Sequence, residues 1–96
     1  MPAYVIADVH ITDPDTYKAY TAETPASIAS HGGRFLVRGG PCEVLESDWQ
    51  PGRMVVIEFP SMDAALTWYR SDDYQELAKI RWSASTAQFI VVEGVP

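Results

Sequence analysis

Four short runs of β-branched and aromatic residues, interrupted by helix-starting signals, constrain this chain more than any other feature it has. Residues 4–11, 34–38, 53–59 and 86–93 are rich in Val, Ile and Phe, which suit a pleated, half-buried surface. Between the first two stands Thr12-Asp13-Pro14-Asp15, where Asp13 can accept from free backbone amides and Pro14 suits the first helical position. Tyr17, Tyr20 and Ile28 give that helix an apolar stripe, and His31-Gly32-Gly33 ends it. Pro25 lacks an amide hydrogen and predicts a kink there, or a restart capped by Thr24. Gly39-Gly40-Pro41 ends the second run, with residues 42–46 read as its short continuation and 47–52 as a turn. Ser61 caps a second helical stretch, and Ser71-Asp72-Asp73 starts another that carries Leu77, Ile80 and Arg81. The order β-α-β-β-α-β is the split βαβ pattern of a ferredoxin-like α+β fold. It predicts one antiparallel sheet with helices on one face.

Ninety-six residues permit one domain, 1–96. Seven basic against 13 acidic side chains, a net charge of −6, argue against nucleic-acid binding and against a polybasic membrane anchor. A hydrophobic fraction of 47% is enough for a packed core. The lone Cys42 excludes an internal disulfide and a thiolate-rich zinc site. The opening MPAYVIADVH lacks the basic start and apolar run of a leader, and no apolar run is long enough to span a membrane, so a cytoplasmic protein is expected. Two isolated histidines show no metal spacing, and Gly39-Gly40 does not open a helix as a phosphate-binding loop does. No cofactor is expected.

Strand parity sorts side chains into two faces. Val5, Ala7, Val9 and Ile11, with Val55, Ile57 and Phe59, form an apolar set for the helices, and Gln88, Ile90 and Val92 are placed opposite Ala87, Phe89, Val91 and Glu93. The other face is expected to carry Tyr4, Ile6, Leu36, Met54, Val56, Phe89 and Val91, too apolar for water. A second copy packed sheet to sheet would cover it, which predicts a homodimer. Asp8, His10, Arg34, Arg38, Glu58 and Glu93 are the polar residues assigned to that face. They either pair across strands or line a pocket between subunits.

Taken in order, Gly32-Gly33-Arg34, Arg38-Gly39-Gly40, Leu45-Glu46, Ile57-Glu58-Phe59-Pro60-Ser61, Trp68-Tyr69, Ser71, Tyr74 and Val92-Glu93-Gly94 resemble domain-of-unknown-function family 1330. The likeness runs over essentially the whole chain. It implies the dimeric α/β-barrel superfamily, whose sheets pack into a barrel-like dimer and whose members include cofactor-independent monooxygenases, muconolactone-type isomerases and haem-degrading enzymes. No activity transfers by fold alone.

The residues point to a small aromatic or acidic metabolite bound at the sheet, with isomerisation or oxygenation as the expected chemistry. Arg38 is the expected anion anchor. His10 or Glu58 is the expected base, Tyr69 and Tyr74 the hydroxyl donors, and Trp68 a floor for an aromatic ring. The competing readings are a non-catalytic binding or accessory protein, and a structural homodimer whose polar residues only set register.

Overall fold

Local signals decide most of the elements. The computed structural model, which describes residues 1–96, has β1 (Ala3–Ile11), α1 (Pro14–Ser30), β2 (Arg34–Arg38), β3 (Arg53–Phe59), α2 (Met62–Arg70), α3 (Asp72–Ala84) and β4 (Ser85–Glu93). Asp13 caps α1 by accepting from the Thr16 amide at 3.2 Å and the Thr16 hydroxyl at 2.7 Å. Ser61 accepts from the Ala64 amide at 3.0 Å and Ser71 from the Tyr74 amide at 3.3 Å, so the two stretches after β3 are separate helices. α1 does not restart at Pro25 but continues through it, and the Thr24 hydroxyl donates back to the Tyr20 carbonyl instead of capping. Residues 42–46 form no strand.

The sheet order is β2-β3-β1-β4 and every pairing is antiparallel. This is the ferredoxin-like fold that the order of runs predicts. The molecule measures 32 × 32 × 17 Å, and the thin direction has room for one sheet and one helix layer. Ala3, Val5, Ala7 and Val9 of β1, with Val55, Ile57 and Phe59 of β3, meet the helices in a core centred on Trp68, Tyr74, Phe59 and Ile28. No helix is long and apolar enough to cross a membrane.

Two parity assignments need correction. In β4 the register sets Val91 opposite Val5 and Phe89 opposite Ala7, so Phe89 and Val91 join the helix-facing core, and Glu93 goes with them opposite Ala3. The open face receives Gln88, Ile90 and Val92 instead. Both sets of β4 are apolar, so alternation alone cannot choose between them. In β2 the register shifts between Phe35 and Val37; Val37 lies opposite Val56, and Arg38 lies opposite Val55 on the helix side. One extra residue in the strand reverses the face of everything after it.

The open face remains apolar after these changes. Tyr4, Ile6, Met54 and Val56 are half-buried, while Ile90, Leu36, Val92 and Val37 are 60%, 46%, 45% and 40% exposed.

Candidate functional site

On the helix side, the pairing registers lay out two rows of side chains. Arg53, Val9 and Ala87 form one, and Val55, Ala7 and Phe89 the next. Alanines at two of these positions leave height above the sheet, and α1 and α3 fill it with Tyr17, Tyr20, Tyr74 and Arg81. A cavity of about 30 Å³ persists between α1 and the sheet, lined by Val9, Tyr17, Tyr20, Phe35, Arg53 and Phe89, with Thr21 and Arg38 also contributing. It is large enough for a water molecule.

No carboxylate lines this cavity. Of the five arginines, only Arg34 has a carboxylate partner; the remaining ion pairs join His10 to Asp8, Lys18 to Asp15 and Lys79 to Glu76. Arg81 is 4% exposed, and its guanidinium carbon lies 4.1 Å from the Phe89 ring centroid. The Nε atoms of Arg53 and Arg81 are both sealed from solvent without a hydrogen-bond partner. Arg38 sits at the rim over the Phe35 ring at 4.6 Å, and donates to the Thr21 carbonyl at 3.2 Å. Gly39 has φ +72, and a Cβ there would stand 2.6 Å from Arg53 Nη1; the glycine lets the guanidinium pass.

The phenols respond to this setting. Burial pushes Tyr17 upward, against the attraction of the Arg53 and Arg81 charges for its ionised form. Burial, reinforced by Tyr74, raises Tyr20 far above its ordinary value. Tyr74 is also raised by burial, against the attraction of Arg81. Burial opposes the charge on Arg81, but Tyr74, Tyr20 and Tyr69 outweigh it and hold its pKa above the usual value. The Tyr20 and Tyr74 hydroxyls are 2.6 Å apart, one donating to the other. The cavity is therefore lined by two neutral phenols, Tyr17 and Tyr20, and by Arg53, with Arg38 at its rim, a donor-rich lining.

The structure brings Arg38 to this cavity and Tyr74 to it through Tyr20. Tyr69 borders surface grooves beside Phe89. Trp68 is fully buried, stacked on Tyr74 at 4.1 Å with its indole N–H donating to Ser27 Oγ at 3.2 Å, and lines no opening of the cavity. His10 and Glu58 lie elsewhere. Glu58 accepts from Arg34 Nε at 2.9 Å on the open face. His10 Nε2 stands 3.5 Å from Asp8, which also accepts from the Trp49 indole at 3.0 Å and the Gly52 amide at 2.8 Å. Asp8 thus pins the loop between β2 and β3. No three His, Cys, Asp or Glu side chains gather into a metal-binding cluster.

Sequence reasoning did not put forward Arg53, Tyr17, Tyr20 and Phe89, which line this cavity, or Arg81, which stacks on Phe89. A signal existed for two of them. Arg53 is two residues before Val55 in an alternating strand, and Arg81 extends the Tyr74–Ala78 stripe at helical spacing.

The family described as "Domain of unknown function (DUF1330)" matches residues 2–95. No curated protein matches the chain. Among solved structures, it is similar to RPA0582 of Rhodopseudomonas palustris, a protein of unknown function: 19% identity, 99% of this chain and 83% of that one covered, TM-score 0.80. It is also similar to SnoaB of Streptomyces nogalater, a cofactor-independent oxygenase: 15% identity, coverage 99% and 94%, TM-score 0.68. Rv0793 of Mycobacterium tuberculosis shares 21% identity, with coverage 100% and 97% and a TM-score of 0.57. At these identities the likeness is one of fold.

Proposed function

The chain belongs to the DUF1330 family of unknown function, and from that premise we propose that it binds a small aromatic or acidic metabolite in the cavity between α1 and the sheet. One observation carries this reading. Arg53, which lines the cavity, and Arg81, which stacks on its Phe89 wall, each hold a sealed Nε–H with no acceptor, and neither takes part in an ion pair. A buried donor without an acceptor is costly, and an anionic ligand is a group that would complete it. Arg38 at the rim anchors the incoming anion.

The reaction class that suits the lining is cofactor-independent oxygenation or isomerisation, in which negative charge develops on substrate oxygen. The fold shared with SnoaB, a cofactor-independent oxygenase, supports that class. In this reading the Tyr20–Tyr74 pair holds the proton, because the polar atoms of His10 and Glu58 are engaged on the opposite face. The same pocket serves equally in a non-catalytic binding or accessory protein.

The open sheet face supports a homodimer, since its apolar side chains lack cover within one chain. Arg34–Glu58 and the Asp8 network are satisfied within one chain and favour a register-setting role for the polar residues of that face.

A thermal-shift screen against a metabolite pool tests the cavity, using wild type, Arg53→Met and Arg81→Met. Compounds that raise the wild-type Tm should lose their effect in both variants. Equal shifts in all three proteins would remove the arginines from the site.

A further inference from the structure

We propose, resting on the cavity reading, that Arg38 latches the mouth of the cavity, and that a small organic anion opens it by taking the guanidinium from the Thr21 carbonyl. A cavity of about 30 Å³ admits no metabolite until it opens. Of the residues that line it, Arg38 alone is exposed, so the mouth lies under that side chain. Its guanidinium carbon stands 4.6 Å from the Phe35 ring centroid, and its Nη2 donates to the Thr21 carbonyl at 3.2 Å. One side chain thus ties the end of β2 to the middle of α1, across the half-buried ring of Phe35.

The acceptor on α1 is free for a reason written in the sequence. The Thr21 carbonyl would ordinarily accept from the amide four residues on, and that residue is Pro25. On the other side, β2 is a five-residue edge strand whose register shifts just after Phe35, so only one neighbouring strand holds it. Once Arg38 leaves, a change of Phe35 rotamer widens the cavity toward Arg53, whose sealed Nε–H has no acceptor. The latch discriminates by charge. A neutral ligand that displaces Arg38 breaks the bond to Thr21 and offers little in return, whereas a carboxylate offsets the loss with paired, charge-assisted bonds to the guanidinium fork. Pro25 acts as a positioning residue in this scheme, because it keeps the Thr21 carbonyl open to Arg38.

Benzoate and benzamide, which differ in charge at nearly the same shape, form the test. Each is titrated into the full chain and followed by NMR at the Thr21 carbonyl carbon and the Phe35 ring. Benzoate should move both signals and bind roughly ten-fold more tightly than benzamide. Pro25→Ala gives the Thr21 carbonyl its helical donor, and Arg38→Met keeps a side chain over Phe35 without a donor. Each variant should tighten benzamide by about three- to ten-fold, since no latch remains to be broken. Benzoate should weaken in Arg38→Met. Arg38→Leu serves the same purpose if the methionine variant does not fold, with circular dichroism as the check. An arginine that only anchored the anion would weaken benzoate on removal and leave benzamide unchanged. That result, or a Thr21 carbonyl that stays still as benzoate binds, would overturn the latch while leaving the cavity reading intact. If neither probe binds wild type or the variants the latch fails, whereas the cavity reading is decided separately by the metabolite screen.

Discussion

The Arg38 guanidinium donates to the Thr21 carbonyl, 3.2 Å away, in the middle of α1. Pro25 stands four residues after Thr21 and has no N–H to give, so the helix leaves that acceptor unfilled. A strand-end arginine on β2 supplies the missing donor, and α1 passes its proline without a break. Arg38→Ala should therefore destabilise the fold by about 0.5–1 kcal/mol. In a Pro25→Ala background, where the helix fills its own acceptor, the same change should cost close to nothing. Urea unfolding of the four proteins gives the coupling directly. An Arg38 effect of equal size in both backgrounds would refute the link.

Gly39 and Gly40 are adjacent but not equivalent. An alanine at Gly39 meets both a left-handed backbone and the Arg53 guanidinium, while the space around Gly40 is open to 4 Å. Gly39→Ala should cost about 1–3 kcal/mol and Gly40→Ala less than about 0.5 kcal/mol. Comparable losses of Tm in the two variants would contradict this assignment.

Tyr20 and Tyr74 set the alkaline limit of stability. Their folded pKa values are raised above the ordinary 10.0, so the folded state keeps protons that the unfolded chain gives up. The resulting stability is present in full below pH 10 and is lost as pH rises from there toward the folded values. Urea midpoints should be flat on this account through neutral pH and fall above about pH 10. Tyr20→Phe should flatten the alkaline fall. A wild-type phenolate absorbance that titrates fully near pH 10, with no unfolding, would show the pair to be accessible.

Ile90 lies on the open face and is 60% exposed. If two copies pack through this face, Ile90→Glu places a charge in a dry interface and should shift sedimentation from dimer to monomer at micromolar concentration. The circular dichroism should not change. A wild-type monomer, or a variant that stays dimeric, would remove this face from the assembly.

How much was legible in the sequence follows from where each signal resides. Asp13, Ser61 and Ser71 hydrogen-bond amides three residues away, so the helix starts are written locally and could be read. The strand order follows from the alternation of these segments. The face of β4 could not be read, because Ile90 and Val92 are as apolar as Phe89 and Val91 and only the pairing with β1 decides. Arg38 was assigned to the wrong face because the bulge at residues 35–37 is a property of two strands together. His10 and Glu58 looked chemical through isolation in apolar strands, yet each has its partner on the open face. Arg53 and Arg81 differ from Arg34 in having no ion-pair partner, and an absent counter-charge is a tertiary fact, visible only once the strands and helices are packed.

The sealed arginines also have a kinetic meaning. The chain carries a net charge of −6, while its interior spot is positive. An incoming anion is thus repelled at long range and attracted only close in, by Arg38 at the rim and Arg53 behind it. Added salt screens the outer repulsion far more than the buried attraction. Association of such a ligand should accelerate as ionic strength rises, the reverse of ordinary electrostatic steering.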